Sequence, residues 1–208
     1  MADNKIKITI ESYNQTASEY ANKTADLRPE GLEKFLDYLK PCSYVLDLGC
    51  GAGRDARRFL DKGHRVVGID LSSGLLGIAR RDVPEAEFKL MDITNLEFAP
   101  DTFDGICALA SMVHVPKSCM FSALRGCYRI LSDKGIMYVS VKRGDGESMT
   151  PDARYGGVQK FWSFFQQDEI EGLLHATGFE VVDSMSIKKH DSYATNPWID
   201  IVCRKIGM

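Results

Sequence analysis

Short apolar runs of strand length alternate along the chain with longer stretches whose apolar residues recur every three or four positions. The short runs predict buried strands, and the periodic stretches predict helices packed on a sheet. The predicted strands cover residues 44–48, 65–70, 87–91, 103–109, 136–141, 179–188 and 198–204. Predicted helices start near residues 29, 54, 72, 116 and 168. The alternation predicts an α/β fold whose last two strands pair as an antiparallel hairpin.

Two segments depart from this alternation. Residues 1–30 are polar with a few aromatic side chains, and we expect them to form an N-terminal cap segment. Residues 142–165 combine glycines and charges with little periodicity. A stretch of that length without regular structure is usually a lid or a binding loop. The whole chain, residues 1–208, has the length of a single domain.

The first predicted strand ends in a glycine-rich turn. Gly49, Gly51 and Gly53 stand at alternate positions, and a helical pattern follows at once. Glycine allows positive φ and lets a ligand approach the backbone closely. The second strand ends on Asp70, 70 − 51 = 19 positions after Gly51, close to the spacing of an acid that binds ribose hydroxyls. The unit therefore predicts an adenosine-containing ligand.

The details of the turn distinguish between adenosine ligands. A dinucleotide turn reads G-x-G-x-x-G, whereas this turn reads G-x-G-x-G and has Arg54 at the position of the third dinucleotide glycine. Asp47, at the end of the strand, would repel a pyrophosphate and suits a ligand with an ammonium and a sulfonium. The run Asp-Leu-Gly-Cys-Gly-Ala-Gly, followed by Gly-Ile-Asp-Leu-Ser at residues 68–72, resembles the S-adenosylmethionine-dependent methyltransferase family.

The resemblance covers about residues 13–205. It implies a seven-stranded, mostly parallel Rossmann-like sheet with helices on both faces, and S-adenosyl-L-methionine as cofactor with S-adenosyl-L-homocysteine as product. It also implies a set of cofactor-binding residues, with Asp92 accepting from the adenine amine and Ile93 packing on its ring. That set is Tyr20, Asp47, Gly49, Cys50, Gly51, Asp70, Leu71, Asp92, Ile93 and Leu109.

Tyr13, Ala17 and Tyr20 match a family pattern that closes over the methionine end of the cofactor. Two tyrosines packed on the surface of a helix are an equally good interpretation of this segment. Asp92 has a simpler interpretation too, as an acid in a strand-end turn.

Methyl transfer is an in-line displacement that needs no metal, although a base can remove the proton of the acceptor. His114 follows the fourth strand and is the best local candidate, because an imidazole titrates near neutrality. A structural histidine before a helix is the alternative. Acceptor recognition is expected from His114 and from residues 143–165, above all from Arg143, Arg154 and Tyr155.

Composition narrows the partners. The net charge of −3 and the lack of a face rich in Lys or Arg give no reason to expect a nucleic-acid partner. The longest basic cluster, residues 188–190, is interpreted as a solvated strand end. The six cysteines stand singly without a C-x-x-C pair, which argues against zinc and predicts reduced thiols and a cytoplasmic location. We expect no signal peptide and no membrane-spanning segment.

Three functions fit these residues. The first is a methyltransferase acting on an O or N nucleophile of a small molecule, the methyl acceptor. The second is a regulatory module that binds S-adenosylmethionine without turnover. The third is an NAD-dependent oxidoreductase, which the spacing of the turn and the C-terminal hairpin disfavour.

Overall fold

The computed structural model describes residues 4–187 and 197–207. The predicted strand end at 188–190 lies outside the described residues. The helices are α1 (Asn4–Gln15), α2 (Ala17–Thr24), α3 (Glu30–Tyr38), α4 (Arg54–Asp61), α5 (Ser73–Asp82), α6 (Lys117–Ile130) and α7 (Gln167–Ala176). The strands are β1 (Tyr44–Leu48), β2 (Arg65–Asp70), β3 (Glu87–Leu90), β4 (Phe103–Leu109), β5 (Leu131–Arg143), β6 (Glu147–Asp152), β7 (Val158–Phe165), β8 (Phe179–Ile187) and β9 (Trp198–Lys205). Two short 3₁₀ turns span Met112–His114 and Ala153–Tyr155.

The sheet has the predicted parallel core and the predicted antiparallel end. Strands β3, β2, β1, β4 and β5 lie side by side in that order, and each pair is parallel. Strand β9 pairs antiparallel with β5 and with β8. The strand order reverses between β1 and β4, and ligands bind at such a switch point beyond the carboxyl ends of the strands.

The two faces of the sheet carry separate cores. Along β1, Val45 packs on one face and Leu46 on the other, as the period of two residues in a strand requires. One core joins the sheet to α3, α4 and α5, where Phe35 and Phe59 are fully buried. The other joins it to α6 and α7 through side chains such as Leu124 and Ile170. The fold class predicted from the sequence, with helices on both faces, is therefore confirmed.

The structure corrects the strand count. All seven predicted strands are present, but residues 142–165 add an antiparallel hairpin, β6–β7, instead of an irregular lid. Pro151 lies in β6, the last strand of the sheet, where a missing N–H is tolerated. Strand β7 contains the aromatic residues Phe161, Trp162, Phe164 and Phe165. The hairpin joins β5 through parallel pairing at Lys142 and Arg143.

The N-terminal segment forms two helices that are tied to the rest of the domain. In α1, the Ser12 hydroxyl donates to the Gln159 carbonyl of β7 at 2.6 Å. The Thr9 hydroxyl accepts from the Phe161 backbone N–H at 2.9 Å. On its other side, the Asn14 Oδ1 atom accepts from the Ser72 hydroxyl at 2.8 Å. Helix α1 is thus held between the hairpin and the start of α5.

Candidate active site

A cleft lies beyond the carboxyl ends of β1, β2 and β4, beneath α1 and α2. Eight of the ten predicted cofactor residues line it together with the predicted base, His114. The eight are Tyr20, Gly49, Gly51, Asp70, Leu71, Asp92, Ile93 and Leu109. These residues span 90 positions of the sequence, yet the fold brings them to one edge of the sheet.

The glycine turn is held against β2 and lies close to the segment after β4. The backbone N–H groups of Gly49 and Cys50 both donate to the Ile69 carbonyl, at 2.8 and 2.9 Å. Gly49 has φ of +80°, and a Cβ there would overlap the Ser111 side chain. Gly51 has φ of +54°, and a Cβ there would have no neighbour closer than 3.6 Å while the residue lines the cleft. The turn therefore offers bare backbone to a ligand.

Asp70, at the end of β2, is hydrogen-bonded to the glycine turn. Its Oδ2 atom accepts from the Gly51 N–H at 2.9 Å, and its Oδ1 atom accepts from the Ser72 N–H at 2.8 Å. Burial raises the pKa of this carboxyl, against the lowering effect of the backbone donors. Each carboxylate oxygen can accept more than one hydrogen bond, so a pair of ribose hydroxyls can be bound in addition.

Asp47 lies under the turn rather than in the lining of the cleft. Its side chain is 3% exposed, and its Oδ2 atom has no hydrogen-bond partner among the described residues. Burial raises the pKa of this carboxyl well above its usual value, and repulsion from Asp55 adds to the effect. A cationic group bound above the turn would offset this cost, so the residues present fit the ammonium of S-adenosylmethionine.

Ser111 is a candidate that the sequence did not single out. It lines the cleft with 8% exposure, and its Oγ atom has no hydrogen-bond partner in the described part of the chain. The preceding residue, Ala110, has φ of +56°, a strained value for a residue with a Cβ. Strain of this kind clusters at binding sites, and here it turns Ser111 towards Gly49. The signal available in the sequence was position alone, directly after β4.

The structure shows Asp92 in the strand-end turn that is the simpler of its two interpretations, and the adenine contact stays a prediction. Its Oδ1 atom accepts from the backbone N–H and from the hydroxyl of Thr94, each at 2.8 Å, which is the strand-end turn. It also lines the cleft beside Ile93. Tyr20 likewise lines the cleft and makes an edge contact with Tyr13, with ring centroids 5.2 Å apart.

His114 is held by two hydrogen bonds. Its Nδ1 atom lies 2.6 Å from the Phe161 carbonyl, to which only a protonated nitrogen can donate. Its Nε2 atom is then unprotonated and accepts from the Tyr13 hydroxyl at 2.9 Å. Burial lowers the pKa of His114 to about 3, and the positive charges of Lys160 and Lys142 contribute. The expectation that His114 titrates near neutrality is therefore wrong, because it ignored burial.

The three predicted acceptor residues do not line this cleft. Arg154 forms a two-pronged ion pair with Asp152, whose side chain also accepts from the buried Lys160 ammonium at 3.1 Å. The Tyr155 ring lies beside Lys160, with the ammonium 4.4 Å from its centroid. Arg143 lies at the carboxyl end of β5, where its guanidinium donates to the Ser186 hydroxyl at 3.3 Å. These side chains act within the hairpin and the sheet.

Cys50 also lies outside the lining of the cleft. Its buried sulfur packs towards Gly68 and Phe88 of neighbouring strands, and burial raises the pKa of its thiol. Among residues 4–187 and 197–207, no group of three or more His, Cys, Asp or Glu side chains is arranged to hold a metal ion. No helix in the same ranges is long and apolar enough to cross a membrane.

Comparisons with known proteins agree with this geometry. Residues 45–135, from β1 into β5, match the family model of a methyltransferase domain. Over 142 residues the chain is 31% identical to the 18S rRNA (guanine-N(7))-methyltransferase bud23 of Schizosaccharomyces pombe, covering 64% of this chain and 52% of that protein. It is 27% identical to a ubiquinone biosynthesis O-methyltransferase of Pseudomonas entomophila over 157 residues, covering 69% of this chain and 67% of that protein. The chain thus spans about half the length of the first relative and two thirds of the second.

A solved structure shows the same fold at low identity. The 1,6-didemethyltoxoflavin-N1-methyltransferase of Burkholderia thailandensis, with bound 1,6-didemethyltoxoflavin and S-adenosylhomocysteine, superposes with a TM-score of 0.74. The match covers 97% of this chain and 88% of that one at 22% identity. Residues 45–135 thus match a methyltransferase domain, and the fold and the glycine turn agree with those of S-adenosylmethionine-dependent methyltransferases of class I type, whose fold is Rossmann-like and whose cofactor is S-adenosylmethionine.

Proposed function

We propose that this protein transfers the methyl group of S-adenosylmethionine to an oxygen or nitrogen atom of a small molecule. One observation carries the proposal. Eight of the ten candidate cofactor residues and the Tyr13–His114 pair line a single cleft, so a donor and an acceptor bound there share one space. The relatives named above include an O-methyltransferase and an N-methyltransferase, and both chemistries are compatible with such a cleft.

When bound, S-adenosylmethionine would supply a methyl group on a sulfonium that a lone pair of the acceptor can take up, with S-adenosylhomocysteine and the acceptor's proton as the other products. The protein contributes mainly orientation, and well-placed reactants gain about 7–11 kcal/mol in this way. Asp70 and the glycine turn would bind the ribose, Asp92 and Ile93 the adenine, and Asp47 would balance the ammonium.

His114 is assigned a positioning role in this proposal. A histidine with a pKa of about 3 is a weak base, and its Nε2 lone pair is already used by the Tyr13 hydroxyl. The ring fixes the direction in which Tyr13 presents its oxygen to the cleft. Tyr13 is then the side chain that contacts the acceptor, and the acceptor's proton leaves to solvent.

A small-molecule acceptor is favoured over RNA by the chemistry of the cleft. None of its described lining residues is Lys or Arg, and the chain carries a net charge of −3. Phosphate contacts from Lys and Arg dominate the affinity of proteins for nucleic acid. The activity on 18S rRNA that is named for the fission-yeast relative is therefore the less suited alternative for this chain.

Two measurements test the proposal. Calorimetry is expected to show binding of S-adenosylmethionine and S-adenosylhomocysteine, with NAD at least about tenfold weaker. Incubation with methyl-labelled S-adenosylmethionine and a metabolite extract containing RNA is then expected to label compounds of low molecular mass. Label confined to RNA, or tighter binding of NAD, would contradict the proposal. Cofactor binding without transfer to any fraction would favour the regulatory module instead.

A further inference from the structure

One end of the cleft is formed by a single face of α1. Ile6, Ile10 and Tyr13 stand at positions i, i+4 and i+7, which lie on one side of a helix, and all three line the cleft. The hydrogen bonds to β7 and to the start of α5 fix the helix in this position. This face therefore acts as a built wall of the cleft.

A second part of the lining comes from the start of α6 and the turn before it. Val115, Pro116 and Cys119 line the cleft there. Val115 is held in place because its carbonyl accepts from the Ser163 hydroxyl of β7 at 2.6 Å. Together with Ile6 and Ile10, these side chains make the end of the cleft beyond His114 largely apolar.

Charge is confined to the other end. Among the described lining residues, the only carboxylates are Asp70, the last residue of β2, and Asp92, just after β3, both at the candidate cofactor end. No Lys or Arg is among those described lining residues. The cations Lys160 and Arg154 lie behind the tyrosines and are paired with Asp152. An ionised carboxylate or phosphate bound between α1 and α6 would lose its hydration without gaining a paired cation, and this is costly.

We propose that α1 and the start of α6 form the methyl-acceptor subsite, and that it takes an uncharged, largely apolar molecule whose nucleophilic atom lies beside the Tyr13 hydroxyl. The inference rests on the proposed methyl transfer and narrows its substrate class. It also assigns acceptor recognition to the N-terminal helix, whereas the sequence had suggested the segment that forms the hairpin.

A matched pair of probes tests the inference. 2-Naphthol is uncharged at neutral pH, whereas 2-naphthoate has a similar shape and carries a carboxylate. In the presence of saturating S-adenosylhomocysteine, we expect the full chain to bind 2-naphthol about tenfold more tightly than 2-naphthoate, because the subsite offers apolar contacts and no cation. Calorimetry gives the affinities, and NMR of isoleucine methyl groups locates the probe at Ile6 and Ile10.

Two variants of α1 sharpen the test. Ile10→Asp introduces a charge into the subsite and is expected to weaken 2-naphthol binding about tenfold. Ile8→Asp makes the same change on the exposed side of the helix and should leave it within about twofold. Both variants should bind S-adenosylhomocysteine like the wild type, which shows that they are folded.

Equal or tighter binding of 2-naphthoate, no saturable binding of 2-naphthol, or an Ile10→Asp variant with unchanged affinity would overturn the inference while leaving the proposed methyl transfer in place. Failure of the wild type to bind S-adenosylhomocysteine would instead count against the proposed function, and the subsite assignment would fall with it.

Discussion

The two ends of the cleft are built in different ways. The cofactor end is made by residues at or just after the carboxyl ends of strands β1, β2 and β3, such as Gly49, Asp70 and Asp92. The acceptor end is made by α1 and by the start of α6 with the turn before it, about a hundred positions away, and Tyr13 of α1 contacts His114 of that turn. The first end depends on local turns, and the second depends on tertiary packing.

The hairpin shows what this difference means for function. Its polar side chains were the most chemically suggestive part of the segment after β5, yet Arg154 and Lys160 both form ion pairs with Asp152 of the same hairpin. The backbone of β7 does more for the site, because the Phe161 carbonyl accepts from His114 and the Phe161 N–H donates to Thr9 of α1. The hairpin thus supports the acceptor end from behind.

The largest effect is expected at the cofactor end. Replacing Asp70 by Ala removes the carboxylate proposed to bind both ribose hydroxyls. At about 1.5–3 kcal/mol for each charged hydrogen bond, the loss of binding free energy should be about 3–6 kcal/mol. Calorimetry with S-adenosylhomocysteine measures it.

The control is Asp37→Ala, which removes an exposed carboxylate of α3 and should leave the affinity for S-adenosylhomocysteine unchanged. Because Asp70 also accepts from Gly51 and Ser72, thermal unfolding has to show that the variant remains folded. A loss of less than about tenfold would mean that another group binds the ribose.

A slightly smaller effect, a loss of folding stability, is expected from a substitution in the hairpin. Burial acts to raise the pKa of Asp152, but Arg154 and Lys160 outweigh it and hold that pKa at about 2. Asp152→Ala leaves the fully buried Lys160 ammonium without its carboxylate, and breaking a buried pair in this way costs about 3–5 kcal/mol. Urea unfolding at neutral pH measures the change.

The pH dependence of this contribution has a definite sign. A carboxyl whose pKa is depressed in the folded protein stabilises it above the unfolded pKa of 3.8, and the contribution is lost as the pH falls through about 2. The difference between wild type and Asp152→Ala should therefore shrink in acid. The control is Asp145→Ala, which removes an exposed carboxylate beside the hairpin. Equal stability losses in the two variants would show that the buried ion pair does not anchor the hairpin.

Much of the cofactor end could be predicted because its function requires only a strand, a turn and an acid at a fixed spacing, as in Gly51 and Asp70. The acceptor end could not be predicted in this way. The contact between Ser12 and Gln159 joins residues 147 positions apart, and a single sequence carries no signal for it. Pro151 and the surrounding glycines suggested a loop, but Pro151 lies in an edge strand, which tolerates it, and the glycines lie in the connections before β6 and before β7.

The smallest effect is expected from the pair that joins the two ends. Tyr13→Phe removes the hydroxyl that donates to His114 Nε2 and keeps the ring that packs against Tyr20 and Lys160. One buried acceptor loses its partner, so stability should fall by about 1–3 kcal/mol. Once an acceptor is identified, its turnover should fall, while S-adenosylhomocysteine affinity stays within about twofold. Tyr38→Phe, on the surface of α3, is the control.

The ionisation of His114 decides how this result is interpreted. A histidine whose pKa is lowered to about 3 stays neutral in the folded protein throughout the pH range 5–8, so its ring resonances in NMR spectra should not shift in that range. The unfolded chain binds a proton at this position below its ordinary pKa of 6.5, so this contribution to stability is complete above 6.5 and is lost as the pH falls towards 3. If Tyr13→Phe lowers turnover while the His114 signal stays constant, the histidine orients Tyr13. A His114 signal that titrates between pH 5 and 8, together with a turnover limb at the same pH, would return it to the role of base.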